Sequence, residues 1–140
     1  MKENALEKVE VPSSVEPKVM ARLTRDQLRA YGHAALDPNP IHFDEVIAKS
    51  MGLPGVIAHG MLVSALMIER VQQVMESELQ NHYFLKSWST RFRSMSFPEE
   101  AIRVYGKIKT ESNSAVILDL KAENEAGEVK ATGQAVLNTI

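Results

Sequence analysis

The stretch from Gly60 to Ile68 reads Gly-Met-Leu-Val-Ser-Ala-Leu-Met-Ile and is apolar on nearly every side. Such a run suits the centre of a core, and its continuation favours a helix from about His59 to Glu78 over a buried strand. From Tyr83 onward the apolar residues follow a two-residue period instead, which predicts antiparallel strands. These strands start at Tyr83 and include Ile102 to Ile108, Val116 to Leu118 and Val129 to Leu137. The sequence therefore predicts an α+β fold in which a curved sheet buries one long helix.

Three further elements are predicted upstream of this helix. They are an extended segment from Val15 to Leu23, a helix from Arg25 to Ala35 capped by Thr24, and a short helix from Glu45 to Met51 capped by Asp44. In the first strand after the long helix, the two-residue period places Phe84, Trp88 and Phe92 on one face. The opposite face is expected to carry Arg91, Arg93 and Phe97.

The composition excludes several classes of protein. The 140 residues carry 16 Lys and Arg against 18 Asp and Glu, are 44% hydrophobic and include no cysteine. Disulfides, thiolate nucleophiles, iron–sulfur clusters and cysteine-containing zinc sites are therefore excluded. The near-neutral charge argues against nucleic-acid binding, and no apolar run suggests a membrane span or a signal peptide. We expect a soluble cytoplasmic protein with a mobile tail at residues 1–14 and one domain at residues 15–140.

The segment Asp37-Pro38-Asn39-Pro40-Ile41-His42 places a carboxylate and an imidazole on a loop that two prolines stiffen. The two side chains can act as a general acid/base pair on one water or substrate proton, because histidine titrates near neutrality. The alternative is ordinary turn chemistry, in which Asp and Asn before proline cap nearby backbone groups. The spacing alone leaves both interpretations open.

Gly60 lies where the long helix is expected to begin. Unpaired N–H groups at such a position can stabilise an oxyanion, and glycine lets a ligand come close to the backbone. The alternative is that Gly60 only allows tight packing at the start of the helix. For the preceding His59, a capping role or a hydrogen bond in the core is expected in preference to contact with a ligand.

The run from Tyr31 to Leu62 resembles the signature of the MaoC-like dehydratase family, the (R)-specific enoyl-thioester hydratases of the hotdog fold. The signature reads roughly Y-A-x-x-S-G-D-x-N-P-I-H-x-D and then A-x-x-x-G-L-P-x-x-I-A-H-G-M-L, and the match needs no gap. The matching residues are Tyr31, Asp37, Asn39, Pro40, Ile41, His42, Asp44, Ala48, Gly52, Leu53, Pro54, Ile57, Ala58, His59, Gly60, Met61 and Leu62. The segment from Arg91 to Pro98 resembles the family's strand motif R-F-R-x-P-V-x-P-G-D, so the resemblance covers about residues 15–140.

The resemblance implies roles for individual residues. Asp37 and His42 match a catalytic dyad that activates water for addition to C3 of a trans-2-enoyl thioester and exchanges a proton at C2. The backbone N–H of Gly60 matches the donor to the thioester carbonyl. Asn39 is expected to fix the loop, and His59, like Asn39, is expected to support the catalytic residues from behind. The family's chemistry implies neither a metal nor a cofactor, because the thioester itself acidifies the C2 proton.

Two departures from the family pattern lie close to these residues. Ala35-Leu36 replaces Ser-Gly, which puts the bulky Leu36 at the expected substrate edge. Glu99-Glu100 replaces the Gly-Asp of the strand turn.

Arg91 and Arg93 belong to a basic region between Tyr83 and Lys109. It can attract the phosphates of coenzyme A or the acidic face of an acyl carrier protein, and the alternative is a solvated sheet face. An open sheet edge, together with the resemblance, implies a homodimer or a dimer of dimers.

The first functional hypothesis is hydration of a trans-2-enoyl-CoA with a short or medium chain to the (R)-3-hydroxyacyl-CoA, or the reverse dehydration, in fatty acid metabolism. The second is a 3-hydroxyacyl dehydratase acting on acyl carrier protein thioesters. The third is a non-catalytic hotdog subunit that binds acyl thioesters, which has no physical need for both Asp37 and His42. A thioesterase is disfavoured because the nearest acid on the long helix, Glu69, lies more than two turns beyond His59.

Overall fold

The computed structural model describes residues 10–140. Its elements are β1 (Ser14–Arg22), α1 (Arg25–Ala34), a 3₁₀ helix (Pro40–His42), α2 (Glu45–Ser50), α3 (Gly60–Glu76), β2 (Tyr83–Phe92), β3 (Ala101–Ser112), β4 (Ala115–Glu123) and β5 (Val129–Thr139). The helix ends differ from the expected ones by one or two residues. Residues 1–9 of the expected tail lie outside the described residues, and β1 begins at the tail's last position, Ser14.

The five strands form one antiparallel sheet in the order β1-β3-β4-β5-β2. The sheet curves around α3, and α3 contacts all five strands. The inward face of α3 contributes Leu62, Val63, Leu66, Met67, Val71 and Val74 to the core. The predicted α+β fold, with one long helix wrapped by an antiparallel sheet, is therefore confirmed. Within residues 10–140 no helix combines the length and apolarity needed to cross a bilayer.

The expected alternation along β2 is wrong in its first half. The pairing of β2 with β5 shifts by one residue between Leu85 and Ser87, which is a β-bulge. Because a bulge exchanges the faces of all residues beyond it, Leu85 and Trp88 both face the core, whereas Phe84 is 47% exposed. The strand also ends at Phe92, so Arg93 lies in the loop that follows and not on a strand face.

A small polar network joins α3 to β2 inside the core. The Trp88 indole Nε1–H donates to Ser64 Oγ at 3.0 Å, and Ser64 Oγ lies 2.8 Å from Thr90 Oγ1. Gly133 on β5 makes room for the indole, since a Cβ there would lie 2.3 Å from Trp88 Cη2 and 3.1 Å from Met67 Cε. Buried polar groups need such partners, so the network fixes how β2 lies along the start of α3.

Candidate functional site

The loop between α1 and the 3₁₀ helix is held by its own side chains. The N–H of Asp37 donates to the carbonyl of Gly32 at 2.9 Å as α1 ends. Asp37 Oδ1 then accepts from the N–H of Asn39 at 3.3 Å, and Asn39 Oδ1 accepts from the N–H of Ile41 at 3.2 Å. Turn chemistry therefore uses one oxygen of Asp37 and leaves Oδ2 for other partners. Asn39 makes the loop-fixing contact that its expected role requires.

His42 is buried, and its ring orientation is set by one hydrogen bond. Its Nδ1 lies 2.6 Å from the carbonyl oxygen of Ile57, which can only accept, so Nδ1 carries the proton. In the neutral ring Nε2 is then a free base, and it lies 4.0 Å from Asp37 Oδ2. That separation is too long for a direct hydrogen bond and leaves both atoms able to contact one water or hydroxyl oxygen.

His59 lies against His42 in the core. The two rings are stacked with centroids 3.7 Å apart, and the edge of Tyr31 closes the other side at 4.9 Å. Its side chain is 2% exposed, its Nε2 lies 3.9 Å from Asp37 Oδ2, and neither ring nitrogen has a hydrogen-bond partner. The expected capping or core hydrogen bond of His59 is therefore wrong: the residue is the N-cap of α3 but its side chain makes no capping bond.

Burial lowers the pKa of His59 below its ordinary value, and the neighbouring charge of His42 lowers it further. The ring is therefore neutral near neutral pH and keeps one N–H group. That N–H lies buried beside the carboxylate of Asp37 and has no hydrogen-bond partner.

The donor atoms of Asp37, His42 and His59 lie within 4.8 Å of one another. Two imidazoles and a carboxylate are ligand types that first-row divalent metals accept. Here the two rings are inclined by only 25°, so their lone pairs run side by side instead of converging on one point. The geometry suits a shared proton better than a shared cation, and the expectation of a metal-free site stays a prediction.

Gly60 opens α3 and lies at the surface of the protein. The Phe92 ring covers one side of it, since a Cβ at this position would lie 3.1 Å from Phe92 Cε1. Gly60 also lines a pocket of about 340 Å³ together with Ile57, Ala58, Val63, Phe92, Arg93, Ser94, Met95, Ser96 and Lys130. Gly60 therefore packs closely against Phe92 and still leaves the start of α3 accessible, and its role as an oxyanion donor stays a prediction. Ile57 links the pocket to the catalytic candidates through its bond to His42.

The remaining candidates lie in different places. Leu36 is 87% exposed beside Asp37, in a left-handed backbone conformation with φ of 54°. Arg91 and Arg93 line a groove of about 640 Å³ on the outer face of the sheet. Arg93 reaches the Gly60 pocket as well, whereas Arg91 lies only in the groove. The structure thus brings together Asp37, His42 and His59, and places Arg91 apart from them.

Tyr31 is the site residue for which sequence reasoning proposed no role. Its ring packs on His59 and so supports the histidine stack. The signal was present, because Tyr31 follows Leu28 at helical spacing and is the first residue of the matching signature.

Residues 8–129 match the family described as the MaoC like domain. The chain belongs to this family. Among curated proteins, this MaoC-like chain is 36% identical over 61 residues to 3-hydroxyacyl-thioester dehydratase X of Mycobacterium tuberculosis, covering 44% of the chain and 22% of that protein. It is 30% identical over 109 residues to fatty acid synthase 2 of Mycosarcoma maydis, covering 75% of the chain and 3% of that protein. The chain thus spans less than a quarter of the length of either relative.

Solved structures show the same fold. The (R)-hydratase from A. caviae involved in PHA biosynthesis superposes with a TM-score of 0.77 at 20% identity, covering 96% of this chain and 99% of that chain. A MaoC-like dehydratase superposes with a TM-score of 0.82 at 27% identity, covering 96% of this chain and 42% of that chain. The hotdog fold implied by the sequence signature is therefore confirmed.

Proposed function

We propose that this MaoC-like protein adds water to trans-2-enoyl thioesters to give (R)-3-hydroxyacyl thioesters, and catalyses the reverse dehydration. The observation that carries the proposal is that Asp37 Oδ2 and His42 Nε2 lie 4.0 Å apart, with His42 Nδ1 held by the carbonyl of Ile57. A carboxylate and a neutral imidazole so placed can hold one water between them and move its proton.

In the hydration direction, the water oxygen bonds to C3 while one of its protons passes to the dyad of Asp37 and His42. The C2–C3 π electrons move to C2, and C2 takes a proton from the same dyad. The net change is addition of H and OH across the double bond, with the dyad returned to its starting state. Dehydration follows the same steps in reverse.

Gly60 is proposed to supply the oxyanion contact. Negative charge develops on the thioester oxygen as C3 is attacked, and the N-terminus of the 17-residue α3 carries unpaired N–H groups and the positive end of its dipole. Removing a comparable donor in other enzymes costs about 10²–10³ in rate, so this contact is a main contributor to the proposed reaction.

The proposal is tested with crotonyl-CoA, whose enoyl-thioester absorbance falls on hydration; the product's configuration is read by chiral chromatography. Asp37→Asn and His42→Ala are expected to lower kcat by several orders of magnitude, and Asp26→Asn on exposed α1 serves as the matched control. Dialysis against EDTA is expected to leave the rate unchanged, since no step uses a cation. Unchanged turnover in both site variants would contradict the dyad.

A second candidate is a dehydratase that takes acyl carrier protein thioesters, and the outer groove favours it. Arg91, Arg93, Lys107 and Lys121 line the groove, while its acid, Asp119, is engaged by Lys109 and Gln134 at 3.5 and 3.0 Å. The excess positive charge suits an acidic partner or the phosphates of coenzyme A. The same acyl group is therefore compared on both carriers at rising salt. Salt-insensitive rates with both carriers would contradict any role of the groove.

A non-catalytic thioester-binding role is disfavoured because it does not require an oriented Asp37 and His42. We propose a homodimer or dimer of dimers as the working assembly, since the sheet ends in the two edge strands β1 and β2.

A further inference from the structure

Among the described residues, Lys130 on β5 has the largest side chain that is fully buried. Only 1% of this side chain is exposed. Its Nζ donates to the carbonyl of Met95 at 2.7 Å and to the carboxylate of Glu128. Glu100 Oε2 lies 3.1 Å away, and the ring centroid of Phe97 lies 5.4 Å away. A buried ammonium is costly unless it is paired in this way, and a well-packed apolar residue would stabilise the fold at least as well. The charge therefore needs an explanation other than stability.

The partners of Lys130 tie down one segment, the β2–β3 loop (residues 93–100). At the start of the loop, the N–H of Arg93 donates to the carbonyl of Lys130 at 2.9 Å. In the middle the ammonium holds the Met95 carbonyl, and at the end Glu100 Oε1 accepts from the N–H of Phe97 at 2.6 Å. Lys130 itself thus contacts the loop at Arg93, Met95 and Glu100.

The same loop is joined to the chain entering α3. The N–H of Ala58 donates to the carbonyl of Ser96 at 2.8 Å, two residues before Gly60. Ser96 directly follows Met95, so a shift of the Met95 carbonyl moves the acceptor that holds Ala58. Residues of the loop and of the segment from Ile57 to Gly60 line the 340 Å³ pocket, and Lys130 lines it too.

We propose that Lys130 is a positioning residue, which sets the place of the Gly60 N–H through Met95, Ser96 and Ala58. This inference deepens the proposed function and rests on it for the role of Gly60. The buried Lys130 ammonium, paired with Glu100 and with the exposed Glu128, then serves to position the thioester pocket. A displacement of about 1 Å in a contact of this kind can cost about 10²-fold in rate.

The test replaces Lys130 by methionine, which keeps the unbranched stem and removes the ammonium donors. Lys18→Met, on exposed β1, is the matched control. With crotonyl-CoA, Lys130→Met is expected to lower kcat about 10²-fold with little change in KM, because the contact matters when the oxyanion forms. Amide exchange measured by NMR is expected to accelerate at Ala58 but not at Leu118 in the centre of β4.

If Lys130→Met fails to fold, the same measurements are made on a variant that also carries Glu100→Gln and Glu128→Gln, which leaves no unpaired charge buried. Wild-type kcat and Ala58 exchange in the folded variant would overturn the proposal. Equal acceleration at Ala58 and Leu118 would also overturn it, since that is the signature of a merely structural residue. If the wild type hydrates no enoyl thioester, the proposed function fails. The amide-exchange measurement still decides whether Lys130 positions Ala58.

Discussion

The two stacked histidines of the site have different surroundings although their ring centroids are only 3.7 Å apart. His42 has the carbonyl of Ile57 for its Nδ1, and its Nε2 faces Asp37. His59 has no hydrogen-bond partner for either nitrogen. Two imidazolium ions in contact repel, so the stack adds to the burial that lowers the pKa of His59.

We predict that His59 lowers the stability of the fold in acid. Its folded pKa lies below the ordinary value of 6.5, because burial and the nearby His42 disfavour the imidazolium form. Below pH 6.5 the unfolded chain therefore binds more protons than the folded one, and the free energy of unfolding falls as the pH decreases. Urea titrations over this range are compared with those of His59→Phe, which keeps a ring in the stack. An equally steep fall in the free energy of unfolding of the variant would contradict the assignment of this pH dependence to His59.

A second residue-scale prediction concerns Glu99. Its φ is 71°, a left-handed conformation, and it occupies the position of a glycine in the family motif that the strand resembles. Glu99→Gly is expected to raise the free energy of unfolding by about 0.5–1 kcal/mol, because glycine relieves the strain of about 1–2 kcal/mol at the cost of some chain entropy. Glu111→Gly in extended β3 should lower it instead. Urea denaturation measures both, and a less stable Glu99→Gly protein would refute the prediction.

At the scale of elements, β2 joins the core to the site. Its bulge turns Trp88 inward to meet Ser64 on α3, and its last residue, Phe92, covers Gly60. The strand then continues into the loop that Lys130 anchors. A change in the pairing of β2 with β5 would therefore affect the start of α3 in two ways, through Phe92 and through the β2–β3 loop.

We predict that Gly133→Ala lowers the free energy of unfolding by about 1–3 kcal/mol, because the added methyl overlaps the Trp88 ring. Trp88→Phe removes the two indole atoms, Cη2 and Cζ2, that lie within 2.7 Å of this position. The double variant should then be more stable than the sum of the single changes implies, with a coupling of about 1 kcal/mol or more. Chemical denaturation of the wild type, the two single variants and the double variant gives this double-mutant cycle. Strictly additive changes in the free energy of unfolding would contradict the steric explanation.

At the scale of the whole molecule, the fold leaves an edge at either end of the sheet, at β1 and β2. Exposed edges present unpaired backbone groups, and pairing between two copies would satisfy them. The outer groove of the sheet carries four cations around Asp119, which Lys109 and Gln134 engage.

We predict that the chain is a dimer or a dimer of dimers in solution. Light scattering coupled to gel filtration should give two or four times the 15.6 kDa of one chain. Replacing residues of the β2 edge by proline, for example Ser87→Pro, should weaken the assembly, because proline cannot donate to a strand pair. A monomer at micromolar concentration would contradict the prediction.

Much of this architecture could be predicted because it depends on local rules. The apolar run from Gly60 is buried wherever it folds, and the caps form within a few residues: Thr24 Oγ1 accepts from Gln27 at 3.1 Å and Asp44 Oδ1 from Ile47 at 3.0 Å. The order of Asp37, Asn39 and His42 on a proline-stiffened loop predicts that the two side chains lie close together, whereas the resemblance to the family signature assigns their catalytic roles.

Other features were decided only by tertiary structure, because their partners lie far away in the chain. The bulge that exchanged the faces of Phe84 and Trp88 is a property of the pairing with β5, and no local pattern in β2 records it. The His59 side chain joins the stack and makes no capping bond to α3, because Tyr31 and His42 pack against its ring. Lys130 is buried 35 residues away from the carbonyl that it holds. The sequence by itself determined the elements and the chemistry available; long-range packing decided which groups face one another.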